Sequence, residues 1–597
     1  MKSTFIATAV TAAIAGLIAS APAQSCSTMV VGKAVSKTGS IIVGHNEDND
    51  LRIVTSQYWV EPADHKAGET ITYEPDAAKI PQVPHTLGFY WSQTLHPAGY
   101  SYSDGFVNEK GVVVASNQSY DATEGAEQLK EGGVGYGIRR IIAERAVSAR
   151  DAVRIAADLV TRYGYRASGR IYTVADKDEA WQINLLHGGR YVAKKLKDNE
   201  VTYVSNAYTL MDVDLKSPDV IASPDLIEHA IKVGNYKPAK AGDYSDFNFR
   251  KAYQTDKRRA ADWIKDRSQR GWEIITGKEL KDENAFPYSY VPKHKLGVAD
   301  VKKVLSSHSK HEKRTGGVFH KNMNDICNIG TFESAVYVLA DDPLLIRGWR
   351  TSGRPSESPY VPFYPLAKPS IAQSFMTAEE ATAQQFHGKP ASFDYKPDFA
   401  MYTFLDAQNY AELLGKQKTL SETIAKLDKS WNAKAAAVHK EAEFLLKNFS
   451  REKAEQMLHG YNTRVYNEAT VAIRGFIAKL PRLNVKINDA TVAAGSKGNM
   501  TVTVFGSKKV ATSKIDKASV GFGLVYPNED VEAITLAKAK SVAVRDVNGD
   551  GIKDAVFTFD KEVVLKDATP GILQDLWFTA KADSKRIAGF DTVKVTK

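Results

Sequence analysis

The sequence predicts an α+β chain in two parts, and three observations lead there. The first half alternates β-branched runs with glycine-containing turns, as hairpins do. Residues 417–480 are rich in Lys, Ala and Glu, with helical periodicity and few breakers. Residues 482–597 are rich in Val and Thr, in short alternating runs between Gly, Asp and Lys turns. At 597 residues, 43% hydrophobic and 25% charged, the chain has an ordinary globular composition with room for one large domain and a smaller one.

The first element is a leader. Residues 1–25 carry one charge, Lys2, then an apolar run over 5–18, then small residues ending Ala21-Pro22-Ala23-Gln24-Ser25, the pattern of a secretory signal peptide. Ala23 and Ser25 allow cleavage directly before Cys26, and Ala21-Pro22-Ala23 offers a site two residues earlier, which would leave a short Gln24-Ser25 propeptide. Cleavage before Cys26 leaves a thiol and a free α-amine on one residue. That amine, with an ordinary pKa of about 7.7–8.0, can serve as the base for its own thiol. Two other readings exist. A lipid-anchored cysteine wants a Leu-like residue three positions earlier, where Ala23 stands. A disulfide with Cys327, the only other cysteine, would consume the nucleophile.

Strands are expected over 27–35 and 40–44, with Lys37-Thr38-Gly39 turning between them. This hairpin brings Cys26 toward Gly44-His45-Asn46-Glu47-Asp48. A second hairpin spans 105–116 around Asn108-Glu109-Lys110-Gly111. Helical spacing runs over 137–159 as two helices broken near Ser148-Ala149-Arg150, and strands follow over 170–175, 180–186 and 201–205. Two or three long helices over 417–480 close the first domain (26–481), and residues 482–597 form a small β-sandwich-like module.

The net charge of +9 is spread along the chain. Basic pairs such as Arg139-Arg140 stand alone, with no aromatic-interleaved basic stripe, so nucleic acid is not an expected partner. After the leader no apolar run approaches the roughly 18 residues of a membrane span. An exported protein, periplasmic or secreted, is expected, with lipid anchoring as the lesser alternative.

Cys26-Ser-Thr-Met-Val-Val-Gly-Lys followed by Gly44-His-Asn-Glu-Asp48 resembles the start of the cysteine N-terminal-nucleophile dipeptidases, relatives of penicillin V acylase and bile-salt hydrolase. The resemblance continues in order through Val107-Asn-Glu-Lys-Gly111, Tyr172-Thr-Val-Ala-Asp-Lys-Asp-Glu-Ala-Trp181, Val204-Ser-Asn206, Phe247-Asn-Phe-Arg-Lys-Ala-Tyr253, Thr331-Phe-Glu-Ser-Ala-Val336 and Gly353-Arg-Pro, over roughly residues 26–480. It implies an αββα sandwich of two antiparallel sheets between helical layers. The implied activity is hydrolysis of dipeptides through an acyl-thioester on Cys26, with small peptides as substrates and no cofactor for catalysis. Acylases on another amide (an acyl-amino acid or conjugated bile salt) and a binding lipoprotein on a degenerate scaffold are the alternatives.

The resemblance also implies roles for single residues. Asp48 matches the acid that bonds the nucleophile's amine, with a turn residue as the alternative. Asn206 matches an oxyanion donor, Asn117 is the candidate second donor, and Arg258 or Arg259 matches the arginine that supports transition-state charge. His45 departs from the pattern: the relatives usually carry arginine, a permanent cation, where this chain has a side chain that titrates near neutrality.

Near the C-terminus, Asp546-Val-Asn548-Gly-Asp550-Gly-Ile552-Lys-Asp554 places oxygen-bearing side chains at positions 1, 3, 5 and 9 of a calcium-type loop, with the Ile552 carbonyl at position 7. The glutamate of position 12 is absent. The flanks read as strands, so a structural calcium between strands, not an EF-hand, is the expectation.

Overall fold

The structure is a computed structural model; it describes residues 26–48, 54–95, 101–123, 129–282, 285–308, 324–368, 394–508, 510–525 and 536–597. The leader and its cleavage sites lie outside these residues.

Two antiparallel sheets face each other. The first has six strands: β1 (Ser27–Val31), β2 (Ile42–Asp48), β10 (Val201–Val204), β12 (Thr331–Val338), β13 (Arg347–Ser352) and β14 (Val361–Phe363), in the order β10-β1-β2-β12-β13-β14. The second has eight: β3 (Val54–Val60), β4 (Phe89–Leu95), β5 (Ser101–Asn108), β6 (Val113–Gln118), β7 (Arg170–Ala175), β8 (Ala180–Leu185), β9 (Tyr191–Leu196) and β11 (Val220–Ala222). Their order is β11-β9-β8-β7-β6-β5-β4-β3. Alternation sorts each strand's residues between two faces. Val30 and Val43 from the first sheet meet Val113 and Ala115 from the second in the layer between the sheets. Met29, Val31 and Ile42 face outward beneath α3 (Asp262–Thr276) and α4 (Val298–Leu305). On the far side, α1 (Gly137–Arg145) and α2 (Ala149–Tyr163) cover Phe106, Val114, Tyr172 and Val174. The order helix, sheet, sheet, helix is the expected αββα sandwich.

Local expectations hold closely here. The two central helices break where Ser148 caps α2 by accepting from the Asp151 amide, and the second hairpin pairs Val113 with Val107 across Asn108–Gly111. Two differ. The first strand stops at Val31 instead of running to residue 35, because Gly32 and Ala34 turn to bond the Glu200 and Asp198 carbonyls and Lys33–Val35 form a 3-10 turn. The second strand runs past Gly44 to Asp48, so Asp48 closes β2, is fully buried and is not a turn residue.

Three later helices follow: α5 (Ala400–Leu414), α6 (Gln417–Asn448) and α7 (Arg451–Ala478). The periodicity marks α6 and α7. It misses α5, which is buried along its whole length and so shows no polar face. Met401 of α5 accepts from the Thr55 amide of β3, and Gln408 donates to the Ser352 carbonyl of β13, so α5 bridges the two sheets at one side.

Beyond α7 come two four-stranded sheets around a core of their own. One is β15 (Asn484–Ile487), β17 (Asn499–Phe505), β20 (Asp554–Asp560) and β19 (Ser541–Arg545). The other is β16 (Thr491–Ala493), β22 (Lys585–Thr596), β21 (Leu573–Ala582) and β18 (Ile515–Gly523). Their outer aromatics join the first part: Trp577 lies edge-on to Tyr410 of α5 at 4.8 Å and against Phe590 at 4.6 Å.

Two glycines set helix distances next to β1 and β2. A Cβ on Gly44 would sit 2.3 Å from Val301 Cγ1 of α4, and one on Gly271 of α3 would sit 2.5 Å from the Tyr203 ring of β10. Gly271 lies one helical turn beyond Arg267 and sets how deep that arginine reaches. Gly271→Ala gains up to about 1 kcal/mol of helix propensity but overpacks a full interface at about 1–3 kcal/mol. A net loss in urea unfolding is expected, with turnover falling as Arg267 is displaced. A variant as stable and active as the parent would show that this contact does not position α3.

Candidate active site

β1 and β2 pair antiparallel with Thr28 opposite His45 and Ser27 opposite Asn46. The next step of that register sets Cys26 beside Glu47. Alternation then gives two distinct surroundings. Toward the second sheet stand Cys26, Thr28, His45 and Glu47; toward the helices stand Ser27, Asn46 and Asp48.

On the inter-sheet face the Cys26 thiol donates to Glu47 Oε2 at 3.3 Å, and His45 Nε2 lies 3.2 Å from the same oxygen. Thr28 donates its one hydroxyl proton to Asn117 Oδ1 at 2.5 Å, so its oxygen, 2.8 Å from His45 Nδ1, accepts from that nitrogen. The bond count therefore protonates Nδ1 and turns Nε2 toward Cys26 and Glu47. All four side chains are buried. Across β12 the neighbour of Glu47 is Glu333, paired with Arg350 at 2.6 Å and bonded by Ser92 of β4.

On the helix face Arg267, fully buried, is the organising group. Its Nη1 donates to the Cys26 carbonyl at 2.8 Å, Nη2 to Asn206 Oδ1 at 2.8 Å and Nε to the Trp263 carbonyl at 2.7 Å. Asn206 in turn donates to the Gln118 carbonyl at 2.9 Å, tying the end of β10 to the end of β6. Asp48 accepts from Asn328 Nδ2 at 2.7 Å and from the Thr331 hydroxyl.

The structure thus brings Cys26, His45, Asn117 and Asn206 into one network. Asp48 joins it from the helix face, where its charge and that of Arg267 act on each other. Arg258, half-buried, stacks on the Tyr120 ring at 3.7 Å, and Arg259 is tied to Asp256 and the Gln254 carbonyl on its own helical turn. The arginine that touches the cysteine is Arg267, which sequence reading missed, as it missed Glu47 and Thr28. Cys26 and Cys327 are both free thiols, which sets aside the disulfide; the Cys327 thiol donates to Ser356, and burial pushes its pKa up to about 12.

A buried cysteine thus heads an interior strand of a two-sheet sandwich covered by helices. The sequence pattern of peptidase family C69 matches residues 25–386. The chain belongs to that family and is a peptidase. A "Probable dipeptidase" of Latilactobacillus sakei is 25% identical over 367 residues, covering 57% of this chain and 74% of the relative. A "Probable dipeptidase B" of Streptococcus pyogenes serotype M3 is 24% identical over 382 residues, covering 60% and 75%. Among solved structures, a conjugated bile acid hydrolase from Clostridium perfringens shares 11% identity at a TM-score of 0.28, over 55% of this chain and 89% of that one.

Burial raises the Asp48 carboxyl from 3.8 to about 7, against the pull of Arg267 and the bonds from Thr331 and Asn328; Glu47 adds to the rise. The folded state then holds a proton that the unfolded chain releases. The stability this confers is complete below about pH 4 and is lost as pH rises through about 7. Asp48→Asn removes that slope. Between about pH 4 and pH 8 the parent is expected to lose stability relative to the variant, by an amount on the order of a few kcal/mol. Parallel unfolding profiles across that range would show that Asp48 keeps its ordinary ionisation.

Proposed function

We propose that this peptidase is an exported dipeptidase that cleaves its substrates through a thioester on Cys26, freed as the N-terminal residue by removal of the leader. The observation that carries the reading is the Cys26 environment: a thiol bonded to Glu47, on a residue whose carbonyl is held by Arg267, itself bonded to Asn206. The dipeptidase names of the relatives support the substrate class.

In this reading the Cys26 sulfur attacks the scissile carbonyl carbon. The α-amine takes the thiol proton and passes it to the departing amine as the C–N bond breaks. Water, deprotonated by the same amine, then attacks the thioester, releasing the acyl half and restoring the thiol. Asp48, ionised as pH rises through about 7, is the partner proposed for the ammonium form of that amine. Of the two asparagines, Asn117 has a side-chain nitrogen that is buried with no partner among the described residues, whereas Asn206 already donates to Gln118. Asn117 is therefore the better placed to give a new bond to a developing oxyanion, and Asn206 to hold Arg267. One such donor is worth roughly 3–4 kcal/mol in the transition state.

The test is hydrolysis of a mixed dipeptide panel by secreted protein whose intact mass begins at an unacylated Cys26. Turnover is expected, with loss of at least about a thousandfold in Cys26→Ala and no recovery of that variant on adding metal. Unchanged turnover in Cys26→Ala would remove the nucleophile assignment, and a diacylglyceryl mass on Cys26 would turn the reading toward an anchored protein.

Calcium in the β19–β20 loop is a second, structural proposal. Asp546 accepts from the Gly549 and Gly551 amides and Asp550 from that of Ile552, which curls the loop; Asp554 is buried below it and holds the Gly506 and Val547 amides. The carboxylates of Asp546, Asp550 and Asp554 are not gathered within ligand distance of one another. An ion would have to draw Asp546, Asn548, Asp550 and the Ile552 carbonyl inward, with Asp554 anchoring the base. Millimolar calcium is expected to raise the melting temperature, and Asp550→Ala to abolish the rise; an unshifted melt would reduce the loop to a plain turn.

A further inference from the structure

The inter-sheet face of the site holds more than a nucleophile. Cys26, His45 and Glu47 form the one group of three such side chains, among the described residues, whose ligand atoms lie within 4.8 Å of one another. The Sγ–Oε2 and Nε2–Oε2 separations are 3.3 and 3.2 Å. A tetrahedral ion with bonds of about 2.3 Å to sulfur and 2.0–2.2 Å to nitrogen and oxygen has ligand–ligand edges of roughly 3.3–3.6 Å. Two of the three edges are already close to those of such a shell, and the third lies within 4.8 Å.

The hydrogen bonds point the same way. Thr28 spends its only proton on Asn117, so His45 gives Nδ1–H to Thr28 and presents Nε2 to Glu47, 3.2 Å from Oε2. The second carboxylate oxygen, Glu47 Oε1, is buried with no partner among the described residues. Glu333, the cross-strand neighbour of Glu47, adds negative charge, and its own counter-ion, Arg350, is already bonded to it. Thr28 bonding Nδ1 is the outer support that metal-bound histidines have.

We propose that Cys26, His45 and Glu47 bind a thiophilic tetrahedral divalent cation, zinc in chemical class, and that the bound ion silences the nucleophile. Sulfur, imidazole and carboxylate donors together select such an ion over calcium or magnesium. On binding, the thiol proton leaves to solvent and a sulfur–metal bond takes its place, so the sulfur lone pair needed for attack is held by the metal. The fourth position falls to water or, once the leader is removed, to the Cys26 α-amine, which would close a five-membered chelate ring with its own sulfur. The inference of silencing rests on the thioester reading; the site itself does not.

Cobalt(II) added to chelator-treated, reduced protein is the direct probe. One equivalent is expected to produce a thiolate-to-cobalt charge-transfer band and intense tetrahedral d–d bands, both displaced by zinc. Cys26→Ser abolishes the charge-transfer band, His45→Gln and Glu47→Gln weaken cobalt binding at least tenfold, and Cys327→Ser leaves the spectrum intact. Dipeptide hydrolysis by the same preparation falls with one equivalent of zinc and returns with chelator. Protein that hydrolyses dipeptides but shows no cobalt band overturns the metal site and leaves the peptidase reading standing. A band that survives Cys26→Ser overturns it as well. A band in protein that is inactive when metal-free keeps the site and removes the thioester reading instead.

Discussion

A guanidinium with no exposure must be satisfied where it lies, and satisfying Arg267 organises this site. Its donors go to the carbonyl of Cys26, the side chain of Asn206 and the carbonyl of Trp263, so one side chain joins β1, the end of β10 and its own helix. An unpaired buried charge costs several kcal/mol, which makes the arrangement close to all-or-none. If α3 moves outward, Arg267 loses its acceptors and Cys26 loses its backbone anchor together. Desolvation also weakens the guanidinium's hold on its proton, an effect that the charge of Asp48 opposes. Gly271, packed on Tyr203 one turn along, is the sequence-level reason the helix comes close enough.

β2 divides the chemistry because its side chains alternate. Asn46 donates to the Leu305 and Ile326 carbonyls on the helix face, closing the end of α4 over the strand, and Asp48 beside it meets the Arg267 field. His45 and Glu47 face the other sheet, one strand from the thiol. Five consecutive residues, Gly44 to Asp48, thus supply a close helix contact, a structural amide, an acid and two groups beside the sulfur. A one-residue slip of register would exchange the two sets, so the pairing of Thr28 with His45 fixes which groups stand beside the thiol.

The hairpin that begins at Cys26, the paired central helices and the last two long helices were legible in the sequence, since each rests on local periodicity or turn chemistry. So was the pairing of the thiol with the 44–48 run. Glu47 was written in that run and could have been taken up by noting that it shares a strand face with His45. Ending the expected strand at Gly44 hid that alternation. Arg267 offered no such signal: nothing local distinguishes a surface arginine on an amphipathic helix from one that a glycine four residues later lets sink into the core. The adjacent pair Arg258-Arg259 was more conspicuous and less central. Helix α5 escaped because a helix buried on every side has no period to read, and its contact with Trp577 shows that the C-terminal sheets are less separate than their composition suggests.

Histidine at position 45, where the family resemblance implies arginine, gains a physical meaning from the neighbouring charges. Glu47 and Glu333 lie directly opposite each other on two strands, both buried, and Arg350 is bonded to Glu333. An arginine at position 45 would neutralise Glu47 permanently. Histidine, with Nδ1 committed to Thr28, can do so only when a proton or a cation occupies the Nε2 side. The carboxylate that accepts the Cys26 thiol's hydrogen bond is therefore compensated conditionally.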